Sequence, residues 1–150
     1  MKRLPLTPLF LVLVLVLFAS FALSCGANSP TLPCGAISQT PGSGQGQLQS
    51  ITVNPAQADA KECPSGVQFV ATGIYIDPPQ TVTPQSAYWV ACQQGQPTSE
   101  VSVNPKGLAQ CASGATGTYS INAFDAGMCE AVNPCGTSCT IYGSAQLTCP

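Results

Sequence analysis

The chain contains no histidine, and charged residues make up only 7% of its 150 positions. Without histidine there is no Ser-His or Cys-His pair to activate a nucleophile and no imidazole to hold a metal. The acids do not form a closely spaced carboxylate pair, and no Gly-rich phosphate loop occurs. Serines are plentiful, but nothing is placed to activate one. An enzymatic role is therefore not expected, nor is a cofactor. Basic residues are equally scarce. Beyond residue 24 there is no arginine, and Lys61 and Lys106 stand against Asp59, Glu62, Asp77, Glu100, Asp125 and Glu130. That balance argues against a nucleic-acid partner, because phosphate binding needs clustered cations to displace counterions. Sustained helical periodicity with caps is missing too. Polarity comes from Ser, Thr, Gln and Asn, a composition suited to strands and turns.

What the chain does have is nine cysteines. The first, Cys25, follows an export-type segment. Lys2 and Arg3 form a positive start, Leu9 to Leu23 (LFLVLVLVLFASFAL) is apolar, and Ala22-Leu23-Ser24 precede the cysteine. This pattern resembles a lipobox. Ser24 matches the small residue before the cysteine and Leu23 is tolerated, whereas Ala22 departs from the leucine usual three residues upstream. Residues 1–24 are therefore read as a signal peptide and Cys25 as the lipidation site, giving a lipid-anchored cell-envelope protein attached to the membrane through Cys25. Gly26 lacks the aspartate that, by resemblance to enterobacterial lipoproteins, favours inner-membrane retention, so outer membrane or cell surface is the expected location. The alternatives are plain secretion and a retained anchor. Leu4 to Leu23 approaches the roughly 20 residues that span a bilayer, but Pro5 and Pro8 weaken a spanning helix. A lipid on Cys25 leaves eight cysteines, an even set suited to disulfides in an oxidising compartment.

From Gly26 to Gln47 the sequence GANSPTLPCGAISQTPGSGQGQ has almost no apolar residues to bury, so 25–47 is expected to be a flexible tether. Residues 48–150 then show alternation broken by turn residues. Leu48–Val53, Val67–Ile76, Ala87–Cys92, Glu100–Val103, Gly107–Cys111, Thr116–Phe124 and Ser144–Cys149 read as strands. About seven short strands with turn punctuation predict an all-β, antiparallel β-sandwich. Period two assigns Ile51, Val53, Phe69, Ala71, Trp89, Tyr119 and Ile121 to the core, with Ala91 and Ala123. Trp89, the single tryptophan, is read as the large aromatic between the sheets.

Several residues in this order match a family. Leu48-x-x-Ile51-x-Val53-x-Pro55 opens the series, followed by Gly66-x-x-Phe69-x-Ala71-x-Gly73, Trp89, Gly107-Leu108, and Gly114 and Gly117 leading into Tyr119 and Ile121. The segment Leu48 to Ala123 resembles the bacterial immunoglobulin-like group 2 domains, the modules of invasin- and intimin-type surface proteins. The resemblance implies an immunoglobulin-like sandwich. The cysteine content departs from the family, as does the cysteine-rich insertion 125–143, whose role the resemblance does not supply.

Strand direction predicts two groups of cysteines. Cys63, Cys92, Cys111 and Cys149 fall at one pole of a seven-strand sandwich; Cys129, Cys135 and Cys139 fall at the other, where Cys34 is expected to arrive. Bridged Cα atoms lie within roughly 7 Å, so pairing across strands of about 17–20 Å is not expected. The favoured pairs are Cys63 with Cys149, Cys92 with Cys111, Cys34 with Cys129, and Cys135 with Cys139. Zinc at Cys129, Cys135 and Cys139 is disfavoured by export and by the missing histidine. Asp59 with Glu62 offers at most a weak calcium pair. No metal site is expected.

Two functional readings follow. The first is a structural or adhesive immunoglobulin-like module at the cell surface, with a protein or glycan ligand. The alternative is a small secreted, disulfide-rich hydrolase or inhibitor acting through the 125–143 loop.

Overall fold

A computed structural model describes residues 34–35, 37–125, 133–135 and 140–150. The signal segment 1–24, Cys25, the first part of the expected tether, Cys129 and Cys139 lie outside the described residues. In chain order the strands are β1 (Gln47–Asn54), β2 (Gln57–Asp59), β3 (Val67–Gln68), β4 (Val70–Ile76), β5 (Gln80–Val82) and β6 (Tyr88–Gln93). They continue with β7 (Gln96–Pro97), β8 (Val101–Val103), β9 (Leu108–Cys111), β10 (Gly117–Phe124) and β11 (Tyr142–Cys149). All seven expected strands are present. β2, β5 and β7 are additional, each only two or three residues long and too short to show a period in sequence.

The strands form an immunoglobulin-like β-sandwich. One layer is the five-stranded sheet β2-β11-β10-β6-β7. In the other, β3 and β4 are successive parts of one strand interrupted at Phe69; β9 and β8 pair on from β3, while β1 and β5 flank β4. This is the division of strands between layers that defines the fold. β2 runs parallel to β11 (Leu147 opposite Ala58), so the chain leaves β1 in one layer and immediately joins the other. Directly after β2 a 3-10 turn at Ala60–Glu62 is capped by Asp59, whose Oδ1 accepts from the Lys61 amide at 2.8 Å. Asp59 is thus a cap.

Alternation places the core as expected for Ile51, Val53, Phe69, Ala71, Tyr119 and Ile121, all buried. Leu48 is buried as well, although it is out of step with Ile51; a register shift between Leu48 and Ser50 absorbs one residue and turns Leu48 inward. Trp89 departs from expectation. It is half-buried at the margin of the core, over Gly107. The backbone of Gly107 has φ +83°, and a Cβ there would strike the Phe69 carbonyl and the indole, so glycine is required on both counts. The fully buried centre is instead Phe69, Tyr119, Ile121 and Leu147.

Residues 34–35 and 37–46, expected to belong to the tether, lie along the domain. The Gly35 amide donates to the Gly66 carbonyl at 3.2 Å, Gly42 to Pro84 at 3.0 Å, and Ser86 back to Gly42 at 2.5 Å. Gln68, fully buried, accepts from the Ile37 amide at 3.1 Å and donates from Nε2 to the carbonyls of Phe69 (2.7 Å) and Lys106 (2.6 Å). A buried amide thereby fixes a segment that has few apolar side chains of its own.

This course also corrects the cysteine assignment. Among the described residues the disulfides are Cys34–Cys63, Cys92–Cys135 and Cys111–Cys149. Cys111 and Cys149 come from one expected set, but the other two bridges join the sets, and none of the four favoured pairs forms among the described cysteines. Strand direction placed the strand ends correctly; the error was to leave the connecting segments at the poles where they begin. The lead-in runs back along the sheet, pairing Cys34 beside Val67. The connection after β10 likewise returns, and ten residues from Asp125 to Cys135 reach further than the roughly 17–20 Å of a strand.

Tyr119 ties two connections together. Its buried ring directs the hydroxyl to the Glu100 carboxylate and to the Thr116 carbonyl oxygen (3.1 Å), the latter resembling the tyrosine corner of such sandwiches. The Glu100 hydrogen bond, then burial and the carboxylate charge, raise the phenol's pKa above its ordinary value.

Three outcomes are expected. Non-reducing peptide mapping should recover the three bridges above. In denaturant melts Phe69→Ala should cost about 3–5 kcal/mol, as for a fully buried aromatic, and Trp89→Ala clearly less. Because the folded phenol of Tyr119 titrates above the unfolded one, its contribution is fully present below about pH 10 and is lost as pH rises through the folded value. Glu100→Gln should move that tyrosinate titration back towards its ordinary range and flatten the alkaline loss of stability.

Candidate functional site

Because successive residues alternate faces, the inward assignment of Tyr119, Ile121 and Ala123 turns Ser120, Asn122 and Phe124 outward. The neighbouring strands align their outward residues with these. Phe124 lies opposite Tyr88 on β6 and Tyr142 on β11, Asn122 opposite Val90 and Ser144, and Ser120 opposite Cys92 and Gln146. The outer face of the sheet thus carries one aromatic row followed by increasingly polar rows.

The aromatic row is open. Tyr88 is 61% exposed and Tyr142 46%, with the half-buried Phe124 between them. The rings of Tyr88 and Phe124 are nearly parallel, at 20°, with centroids 6.1 Å apart, an offset arrangement favoured by the ring quadrupoles. Behind them the Ser120 hydroxyl lies 2.8 Å from both Asn122 Oδ1 and the Ser144 hydroxyl, and Asn122 Nδ2 donates to Cys92 Sγ at 3.4 Å. These bonds hold the polar rows in place. On its other side Tyr88 borders a groove lined by Ala87, Trp89, Val103, Asn104 and Pro105.

The long connection between β10 and β11, which runs from Asp125 and ends two residues earlier than expected because β11 starts at Tyr142, is pinned to this same face. Cys135 is bonded to Cys92, and Asn133 Nδ2 donates to the Gly95 carbonyl in the β6–β7 turn at 3.3 Å. Asn133 Oδ1 accepts from the Cys135 amide at 3.0 Å, closing a local turn. The connection was expected to act as a loop at the far pole; its described part lies over the sheet.

Of the residues singled out in sequence, Trp89 borders the site and Cys92 and Cys135 frame it. Cys34, Cys63, Cys111 and Cys149 are at the opposite pole. Tyr88, Phe124 and Tyr142 were not recognised. For Tyr88 and Phe124 the signal was available, since inward Trp89 and Ala123 oblige their neighbours to face out; Tyr142 precedes the expected start of its strand.

No group of three His, Cys, Asp or Glu side chains is gathered to hold a metal among the described residues. No family model matches the chain, and no similarity to a curated protein or to a solved structure was found.

Proposed function

We propose that the chain is a lipid-anchored cell-envelope protein whose immunoglobulin-like domain serves as an adhesive or structural binding module at the cell surface. The observation that carries this reading is the open aromatic row at the end of a rigid sheet. Exposed aromatics in register are the usual anchors of binding surfaces. The apolar segment ahead of Cys25 supports the anchor, the three disulfides suit an oxidising compartment, and the resemblance to invasin-type modules favours a surface role.

Cys34 lies at the pole of Cys63 and Cys149, and Tyr88, Phe124 and Tyr142 occupy the opposite ends of their strands.

The test of the anchor is Cys25→Ser. The variant should lose membrane association in cell fractionation and appear either unprocessed or released. Mass spectrometry showing an unmodified N-terminus at a residue other than Cys25 in the wild-type protein would defeat the reading.

A further inference from the structure

We infer that the row Tyr88–Phe124–Tyr142 is a binding site for an uncharged glycan chain, an assignment of ligand class that rests on the surface-binding reading above.

Charge supplies the first argument. The outward side chains of the three central strands are Tyr88, Val90, Cys92, Thr118, Ser120, Asn122, Phe124, Tyr142, Ser144, Gln146 and Thr148, and none ionises near neutral pH. The nearest ionisable group along the chain is Asp125, one residue beyond Phe124. A charged polymer would leave its charges without partners on such a face. A neutral one loses nothing.

Size supplies the second. Neighbouring strands lie about 4.8 Å apart, so three rings in register span on the order of 10 Å. A stable protein–protein contact buries roughly 800 Å² on each side, whereas a whole aromatic side chain offers about 150–250 Å² and these three are only partly open. The row is too small for a second copy of this chain and comparable to a few sugar rings.

The third argument is chemical pattern. A pyranose has apolar C–H faces and a rim of hydroxyls. The exposed ring surfaces of Tyr88 and Tyr142 can meet the faces, while their phenols and the hydroxyl of Ser144, exposed beside them, can give and accept hydrogen bonds with the rim. A purely apolar partner would leave those hydroxyls unsatisfied. The site is also formed in advance, because β10 is hydrogen-bonded to a strand on each side, so little ordering is lost on binding.

The test uses the full-length protein purified in detergent micelles and run in affinity gels containing amylose, laminarin, xylan or hydroxyethylcellulose, with anionic alginate as the charged comparison. Retardation by at least one neutral polymer and not by alginate is expected. Tyr88→Ala with Tyr142→Ala should weaken it by about tenfold or more, as for truncated aromatic anchors, and Tyr88→Ala alone by less. With Tyr88 61% and Tyr142 46% exposed, the thermal midpoint should fall only slightly, and the protein should remain folded. The assignment is overturned if no neutral polymer retards the protein, or if retardation survives the double substitution. It is equally overturned if the substitutions instead dissolve a concentration-dependent dimer seen by sedimentation, which would make the row a self-association surface. Failure of the anchor reading shows separately, in the fractionation of Cys25→Ser.

Discussion

Covalent closure of one pole is the constraint on which the arrangement depends. In a sandwich, side chains from two inner faces interdigitate to fill the space between layers. Here many of those inward positions are alanine: Ala58, Ala71, Ala91, Ala109, Ala115, Ala123 and Ala145 are all buried. Burial stabilises by about 25 cal/mol for each Å² of apolar surface, so a methyl group contributes little, and the large side chains concentrate at the centre in Phe69, Tyr119, Ile121 and Leu147. Towards the end of β9 and β11 the sheets are joined instead by Cys111–Cys149, with Cys34–Cys63 beside it. Each bridge contributes about 2–4 kcal/mol in the usual model by restricting the unfolded chain. Small core residues and cross-links thus belong to one solution.

Fixing Cys34 at that pole determines what precedes β1. The stretch 37–46 must return along the layer, yet it brings mostly Gly, Ser, Gln and Thr, which have little apolar surface to bury. Buried amides do the holding. Gln68 binds the Ile37 amide, and Gln85 accepts from the Tyr75 hydroxyl at 3.0 Å while its side-chain Nε2 donates to the Ser86 carbonyl at 3.0 Å and its backbone N–H to the Ala71 carbonyl at 2.8 Å. No buried side-chain polar atom lacks a partner among the described residues. Satisfied amides in a low-dielectric setting are demanding of geometry, which is why a segment that reads as a linker by composition can still occupy one position.

This explains what was legible. Strands with five or more alternating residues, such as β1, β4, β6 and β10, declared both their limits and their inward face, and the turn pairs Asn54-Pro55 and Asp77-Pro78 marked their ends. Trp89 was misjudged because alternation gives the face of a residue but not its distance from the centre of the sheet. The lead-in was misjudged because its contacts are made by backbone groups to Gln68, Pro84 and Gly66, which leave no hydrophobic pattern. Disulfide pairing depended on paths of connections, and strand direction carries no information about those.

The aromatic row illustrates the same limit from the other side. An exposed ring costs solubility unless something compensates, and proteins usually guard sheet surfaces with charge. This chain has almost none to spare. At the two exposed positions it uses tyrosine, whose hydroxyl can stay hydrated, and it reserves phenylalanine for the half-buried middle position. The ladder on both sides of β10 fixes the backbone beneath the rings, and the Cys92–Cys135 bridge pins the connection to the polar rows behind them. A ligand meeting such a row need order very little, so even a few ring contacts can produce useful affinity. A loop presented freely at the pole would have required that ordering at each encounter. The geometry therefore favours the sheet face over the loop as the place where the proposed binding occurs.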